Sequence, residues 1–469
     1  MIAVLYLLVF AKECFSLSDE DLRMRFKKTV CPGEGSQDNC EWCKERFTKK
    51  YPLTAADFER SFQPGELCGW TTVAEKLKKG DEISIGVIGG SMTFGRACWD
   101  EGTDFEGDCA WPAKMKPLFN NSKVKITNRA NGGWHVYAFL ASGVLPAMDD
   151  DIIIIDMVVN TVYQYGENHR GYLLDLERMY LALRKSRPDR PIMMSYTFRG
   201  SATDPDQCSS EFKSSFDYNY GTPRKYMFCQ YFWLQQDMEI ALAKHYRLPS
   251  ASFRDAVWPV MTAPRDDQVC FWDANSHPGS TTHNIVGDVV HFGLQRMFDL
   301  AIKAPADLKC PPIPLFHTNL VNFRGCSEKG FLNIFSTADS SSFKPVEVVN
   351  WKYMEDRQGK PGWIAHQQPG QPFQENKIVF HLKISGVCEI THLKSYKNIG
   401  SSEVTVKSLE SDFTQTFRLD AEVEQHTSTP ATFEYHLPDG AHPGMYSVTL
   451  TMLEQSKYRK FKIMGIASC

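Results

Sequence analysis

The chain lacks three features that would assign it quickly to a class of protein. It has no excess charge of one sign, since 52 Lys and Arg face 56 Asp and Glu for a net charge of -4. It has no internal repeat or low-complexity tract, and beyond its first residues no apolar stretch approaches transmembrane length. We therefore expect no nucleic-acid partner, no stable membrane insertion and a soluble mature protein. With 469 residues and 42% hydrophobic side chains, two or three packed domains are expected.

The first residues, "MIAVLYLLVFAKECFS", form a short apolar core followed by small residues. This pattern predicts a signal peptide over residues 1–16 and a protein that is secreted or held in the secretory-pathway lumen. Because a basic start is missing, an N-terminal strand or a membrane-associating segment remains the alternative. Cleavage after Ala11 leaves fourteen cysteines and cleavage after Ser16 leaves thirteen.

Cysteines spread along an exported chain favour disulfides over metal ligation. Cys40 and Cys43 have the spacing of half a zinc site, but no second pair follows at the required distance. We therefore expect no metal and no other cofactor. Cys98 and Cys109 close a short acidic loop, and we expect them to pair. Asn120 begins an N-x-S sequon and is predicted to carry a glycan.

The pattern of apolar residues divides the rest of the chain into three parts. Residues 17–80 are charged, Cys-rich and weakly periodic, with short helical signals in "LTAADFERSFQ" and "WTTVAEKLKKG", which predicts an irregular N-terminal segment. Over 81–305, five apolar strands alternate with helices, which predicts a doubly wound, largely parallel α/β sheet. Prolines near 306–316 mark a boundary, and the short strands of 316–469 predict a β-sandwich.

A serine follows the first strand directly in "ISIGVIGGSMTFG". A phosphate-binding loop needs Lys and a hydroxyl residue where Arg96 and Ala97 stand. The nucleophile elbow of α/β-hydrolases needs glycine where Thr93 stands. Two interpretations of Ser91 remain, a helix N-cap and a nucleophile at the end of the first strand.

The remaining groups for acyl transfer lie at other strand ends or before the last long helix. His277 precedes that helix and suits a general base, with Asp273 four residues earlier to orient it. Gly133 follows the second strand and offers a backbone N–H for an oxyanion. Asn160 follows the third strand and offers a side-chain amide. Ligands of open α/β sheets bind at these strand ends, which favours a shared site.

The blocks "GGSMTFG", "NRANGGW", "VVNTVY" and "DANSHP" resemble, in this order, the four blocks of the SGNH hydrolases, the GDSL-type esterases and lipases. The resemblance covers residues 81–305 and implies a flavodoxin-like sheet. It also implies Ser91 as nucleophile and His277 as base, with the Ser91 N–H, the Gly133 N–H and the Asn160 amide as the oxyanion hole.

Two positions depart from the family pattern. Gly90 stands where the family usually has Asp, and Asp273 is one residue further from His277 than the usual D-x-x-H spacing. Asp273 then completes the triad only if its loop bulges. Asp267 as substitute and a Ser-His dyad remain the alternatives.

The remaining aromatic candidates each have a structural alternative. Trp134 and His135 either line the site or pack, and His283 and His291 are expected to be structural. Trp351 and Trp363 either stack sugars or fill the core of the C-terminal domain.

A polar loop over 199–225 and the absence of a long apolar lid favour a short acyl group, acetyl above all, on carbohydrate. We therefore predict a secreted serine esterase. A carbohydrate O-acyltransferase using the same residues and a non-catalytic carbohydrate-binding or adhesive protein remain the alternatives.

Overall fold

The computed structural model divides into two compact units. The first comprises Met1–Gly132, Met148–Leu173 and Leu183–Phe316, and the second comprises Gly133–Ala147, Leu174–Ala182 and His317–Cys469. The residues that the structure describes are 53–96, 98, 106–119, 123–142, 144–145, 148–159, 169–197, 217–219, 225–227, 230–261, 277–305, 308–310, 312–313, 316, 332–333, 344–356, 361–367, 372–396, 398–423, 428–454 and 458–468.

Helices and strands alternate through the first two thirds of the chain. In chain order they are α1 (Ala55–Ser61), β1 (Phe62–Gln63), α2 (Cys68–Lys79), β2 (Ile83–Gly89), α3 (Ser91–Phe94), α4 (Trp111–Met115), β3 (Val124–Asn128), α5 (Val136–Ser142), β4 (Ile152–Asp156), α6 (His169–Ser186), β5 (Ile192–Tyr196), β6 (Asp217–Asn219), β7 (Lys225–Met227), α7 (Gln230–His245), β8 (Ser250–Ser252), α8 (Phe253–Met261) and α9 (Ser280–Lys303). Short 3₁₀ turns cover Glu106–Cys109 and Lys116–Leu118.

The first unit is built on a mainly parallel sheet in the order β1-β8-β5-β4-β2-β3. Strands β3, β2, β4, β5 and β8 pair in parallel, and β1 joins antiparallel at the β8 edge. Counted along the chain, the parallel strands have the order 2-1-3-4-5, which is flavodoxin-like. These are the five strands that the sequence predicts.

The apolar runs of the central strands explain why this sheet is buried on both faces. Ile153, Ile154 and Ile155 of β4 are all fully buried, although successive side chains point to opposite faces. Ile154 shares one core with Ile85 of β2 and with Leu294 of α9. Helix α9 packs against α2 and α4.

Residues 53–80 contain helices α1 and α2 where the sequence shows helical signals, and they also contain strand β1, which the sequence does not predict. Phe62 pairs with Ala251 of β8, so β1 extends the sheet. Trp70 of α2 packs edge-on against Phe298 of α9, with ring centroids 5.8 Å apart. A disulfide from Cys68, with a Cα–Cα distance of 5.0 Å to its partner Cys310, ties the start of α2 to the chain beyond α9. This part of the N-terminal segment therefore belongs to the core of the first unit.

The second unit contains the C-terminal strands, all paired antiparallel. They are β9 (Leu332–Asn333), β10 (Glu347–Val349), β11 (Trp351–Glu355), β12 (Pro361–His366), β13 (Lys377–Ile384), β14 (Val387–Ser395), β15 (Ser401–Ser408), β16 (Thr414–Asp420), β17 (Ser428–His436), β18 (Gly444–Met452) and β19 (Lys460–Ser468). One sheet has the order β10-β13-β18-β15-β16, and the other has the order β11-β12-β19-β14-β17 with β9 beside β19.

The two C-terminal sheets share one core. Phe380 and Val448 of the first sheet and Ile390 and Phe461 of the second are fully buried in the same cluster. This arrangement confirms the predicted β-sandwich.

A short stretch before β4 also clusters with the sandwich. Helix α5 packs against β19, and the ring Nε2 of buried His135 lies 3.0 Å from the carbonyl oxygen of Pro430 in β17. The predicted boundaries at 305 and 316 stay predictions. Among the described residues, no helix is both long and apolar enough to cross a bilayer.

Candidate functional site

The turn after β2 presents a serine at the carboxyl end of the sheet. Gly90 is extended, with φ -88° and ψ -154°, and serves as N-cap of the four-residue helix α3. Gly95 ends the helix in the left-handed region, with φ 92°, which glycine adopts without strain. Ser91 is the first residue of this helix and is 8% exposed. A single turn of helix thus fixes the serine directly beyond the strand.

The imidazole of His277 contacts that serine. Its Nε2 lies 2.9 Å from Ser91 Oγ, which is hydrogen-bond distance. His277 is half-buried and stands two residues before Gly279, the N-cap of α9. Because a neutral imidazole nitrogen accepts a hydroxyl proton, this pair has the geometry of a nucleophile and its general base.

The segment after β3 runs beside the serine turn within the first unit. The Arg129 N–H donates to Val87 O at 2.8 Å, and the Asn131 N–H donates to Gly89 O at 3.1 Å. These bonds continue the pairing with β2 beyond the end of β3. Gly133 follows with φ 79°, a conformation that favours glycine. Its role as an oxyanion donor stays a prediction.

Several predicted residues lie outside the described part of the chain. They are Asn160, Asp267, Asp273 and Asn120, together with the proposed signal peptide at 1–16 and the pair Cys40 and Cys43. Their assignments therefore stay predictions, and the choice between a triad and a dyad stays open with them.

A buried hydrogen-bond network that the sequence reasoning missed lies beneath the serine turn. Thr93 Oγ1 donates to Asp156 Oδ2 at 2.6 Å. Thr197, directly after β5, donates its hydroxyl to both oxygens of Asp156, at 2.8 and 2.9 Å. Asn128 Nδ2 donates to the carbonyl oxygen of Thr93 at 2.8 Å. The available signal was the acidic residue that ends the otherwise apolar strand "IIIID".

Burial changes the proton affinity of two groups near the serine. It raises the pKa of Asp156 to about 6, against the opposing effect of the donors from Thr93 and Thr197. Burial, together with the neighbouring Lys114 and His277 side chains, also lowers the pKa of His283 in α9 to about 3. His283 is therefore neutral, and its Nδ1 accepts the backbone N–H of Trp111 at 3.1 Å.

The other histidines and tryptophans considered above pack in the interior. His291 is fully buried and meets the Phe119 ring edge-on at 4.7 Å. Trp134 packs edge-on against Phe139 at 5.0 Å and, like His135, is buried.

In the sandwich, Trp351 is 4% exposed and belongs to the core. Trp363 is partly buried and lies beside Tyr353, with ring centroids 5.5 Å apart. The core interpretation therefore fits Trp351 better than sugar stacking does.

The structure joins Cys98 to Cys109, with a Cα–Cα distance of 5.7 Å. Both cysteines are buried, and they flank the acidic loop that follows the serine turn. Among the described residues, Cys388 in β14 is the free cysteine, and burial raises its thiol pKa to about 12. A thiol with that pKa is unreactive at neutral pH.

Comparisons with known proteins agree with this architecture. No protein-family model matches the chain, and no curated protein matches it. Among solved structures, a two-domain esterase active on acetylated mannans, co-crystallised with mannopentaose, is similar at a TM-score of 0.56 and 16% identity, covering 88% of this chain and 97% of that one. A second structure of such an esterase gives a TM-score of 0.58 at 15% identity, covering 88% of this chain and 98% of that one.

At this identity the likeness shows the fold alone. It extends over both parts of the chain, and together with the strand order it confirms the predicted fold class, a flavodoxin-like α/β sheet followed by a β-sandwich.

Proposed function

We propose that the chain is a secreted serine esterase that hydrolyses short acyl esters, acetyl above all, on carbohydrate. The observation that carries this proposal is the 2.9 Å contact between His277 Nε2 and Ser91 Oγ at the carboxyl end of β2. The fold shared with a two-domain esterase active on acetylated mannans supports the substrate class. Thr93, in place of the last glycine of the elbow, argues against a nucleophile elbow, and Arg96 and Ala97, in place of Lys and a hydroxyl residue, argue against a phosphate loop.

In the proposed reaction, Ser91 Oγ attacks the ester carbonyl carbon while His277 Nε2 takes the hydroxyl proton. The proton passes to the departing alcohol, and an acyl group stays on Ser91. Water, deprotonated by the same imidazole, then releases the acid and restores the serine. The Ser91 N–H, the Gly133 N–H and the Asn160 amide are assigned to the developing oxyanion, and Asp273 is assigned to orient His277.

A fluorophosphonate probe followed by an ester panel tests this proposal. We expect the probe to label Ser91 in the wild-type protein and to leave Ser91→Ala unlabelled, as read by intact mass and peptide mapping. We then expect kcat/KM to be higher for acetyl than for octanoyl esters, with acetate released from acetylated mannan.

Each outcome of that test has a distinct meaning. An unlabelled and inactive wild-type protein would leave a carbohydrate-binding protein as the better interpretation. Transfer of acetyl to a sugar hydroxyl without free acetate would indicate an acyltransferase. A preference for octanoyl with no acetate from any glycan would overturn the substrate class alone.

Export forms a separate part of the proposal. Residues 1–16 are proposed as a cleaved signal peptide, and Asn120 is proposed to carry a glycan. Expression in a eukaryotic secretory host should yield the protein in the medium, with an N-terminus at or before residue 17. Treatment with an amidase that removes N-glycans should lower its mass, and Asn120→Gln should abolish that shift.

A further inference from the structure

The turn that carries Ser91 is anchored to the neighbouring strands through Thr93. Thr93 lies two residues after Ser91 in the same four-residue helix and is fully buried. Its hydroxyl donates to Asp156 Oδ2 at 2.6 Å, a charge-assisted contact when the carboxylate is ionised. Its carbonyl oxygen accepts Asn128 Nδ2 at 2.8 Å. Thr93 thus links the turn after β2 to the ends of both neighbouring strands, β3 and β4.

The acceptor of this hydrogen bond is itself fixed. Asp156 is 3% exposed and ends β4, whose other residues are apolar. Beyond Thr93, it accepts the hydroxyl of Thr197 at 2.8 and 2.9 Å and the Thr197 N–H at 3.3 Å. Donors from two directions therefore hold the carboxylate, so it offers Thr93 an acceptor with little freedom to move.

The serine turn packs closely against the ends of β2 and β4. A Cβ added at Gly89 would overlap the Thr93 side chain and would lie 2.9 Å from the carbonyl oxygen of Asp156. The absence of a side chain at Gly89 thus allows Thr93 to sit directly on the strand ends. Asn128, which donates to the carbonyl oxygen of Thr93, is itself held in place, because its Oδ1 accepts the backbone N–H of Ala130 at 3.0 Å.

This arrangement matters for Ser91 because a nucleophile must be held within a fraction of an ångström of its productive position. We propose that Thr93 and Asp156 are positioning residues, and that their buried hydrogen bond sets the reactivity of Ser91 by holding its turn against the end of β4. The proposal rests on the proposed esterase function. It assigns neither residue a contact with substrate.

Three variants and one matched control test the proposal. Thr93→Val keeps the shape and removes the hydroxyl, Thr93→Ser returns the hydroxyl, and Asp156→Asn keeps the shape of the acceptor without its charge. The control is Thr71→Val in α2, where a hydroxyl that is equally buried donates to Cys68 O at 2.7 Å. The readouts are kcat and KM for an aryl acetate, the rate of fluorophosphonate labelling, and Tm.

We expect Thr93→Val to lower kcat by about 10- to 100-fold, the range for a nucleophile misplaced by up to roughly 1 Å, with KM within about twofold of wild type. The labelling rate should fall by the same factor, because the probe needs the same serine geometry. Asp156→Asn should lower kcat by at least about tenfold, and Thr93→Ser should recover turnover to within about threefold of wild type. Thr71→Val should lower Tm and leave kcat unchanged.

Four outcomes would overturn the positioning role alone. They are wild-type kcat in both Thr93→Val and Asp156→Asn, wild-type labelling rates in both, an equal loss of kcat in Thr71→Val, and no recovery in Thr93→Ser. A wild-type protein that neither turns over the ester nor takes up the probe would instead refute the esterase function, and the positioning role with it.

Discussion

His277 Nε2 lies 2.9 Å from Ser91 Oγ, although 186 residues separate the two side chains along the chain. Replacing either residue should therefore remove the same chemical step. We expect Ser91→Ala to abolish ester hydrolysis and His277→Gln to lower kcat by about 10³-fold or more, with unchanged far-UV circular dichroism. Ser61→Ala is the matched control, since Ser61 is equally buried and donates to Phe58 O in its own helix. Full turnover in Ser91→Ala would contradict the mechanism.

The proposed oxyanion hole makes a separate prediction at Asn160. Loss of one oxyanion donor typically costs about 10²- to 10³-fold in kcat, so Asn160→Ala should show a loss in that range with little change in KM. Steady-state kinetics on an acetyl ester provide the measurement. An unchanged kcat would remove Asn160 from the site and leave the role of Ser91 intact.

The cysteines allow a chemical test with an internal control. Cys98 and Cys109 fall in one tryptic peptide, residues 97–114, and without reduction we expect this peptide to lack the mass of two hydrogens relative to its dithiol form and to take up no alkylating agent. Cys388 should resist iodoacetamide in the native protein, because it is buried and its thiol pKa is raised to about 12, and should react after denaturation without reduction. Alkylation of Cys98 or Cys109 in the native protein would contradict the bond.

The two disulfides in the described part of the chain should differ in their effect on stability. The bond from Cys68 to Cys310 closes a separation of 242 residues, against 11 for the bond from Cys98 to Cys109. If loss of chain entropy dominates, the double alanine variant at 68 and 310 should lose about 3–5 kcal/mol of unfolding free energy, and the variant at 98 and 109 should lose less. Urea unfolding under non-reducing conditions measures both. Equal or reversed losses would favour an enthalpic origin.

Glu239 of α7 should make the unfolding free energy fall as pH rises. It is fully buried, and burial together with the nearby charge of Asp156 raises the pKa of its carboxyl to about 8. Tyr172 donates its hydroxyl to Glu239 Oε1, which opposes this increase.

The unfolded carboxyl has a pKa near 4.5, so unfolding between pH 4.5 and about 8 releases a proton. Stability from the neutral carboxyl is complete below pH 4.5 and is lost as pH rises toward about 8, by at most about 1.4 kcal/mol per pH unit.

Glu239→Gln stays neutral and retains an acceptor for Tyr172. We expect the variant to match wild type at pH 4 and to be more stable than wild type at pH 8, measured by urea unfolding at both values. A variant that is less stable than wild type at pH 8 would show that the carboxylate is ionised in the folded protein.

The amino-acid sequence alone determined most of the fold. The five parallel strands and the C-terminal β-sandwich appear in the parts of the chain where apolar periodicity predicts them, because that pattern reports which faces of a segment are buried. The four short blocks also selected Ser91 and His277 from many serines and histidines. The structure brings these two side chains into contact.

Only the tertiary structure decided which strand ends are neighbours and which buried side chains support the turn that carries Ser91. The bond from Thr93 to Asp156 depends on β4 being the neighbour of β2, and the partner of Cys68 depends on the path of the chain after α9. Strand β1 escaped the sequence analysis because it is two residues long and is formed by pairing with β8. Periodicity measures local burial, whereas these contacts join segments whose proximity is set by strand order and by packing of the whole core.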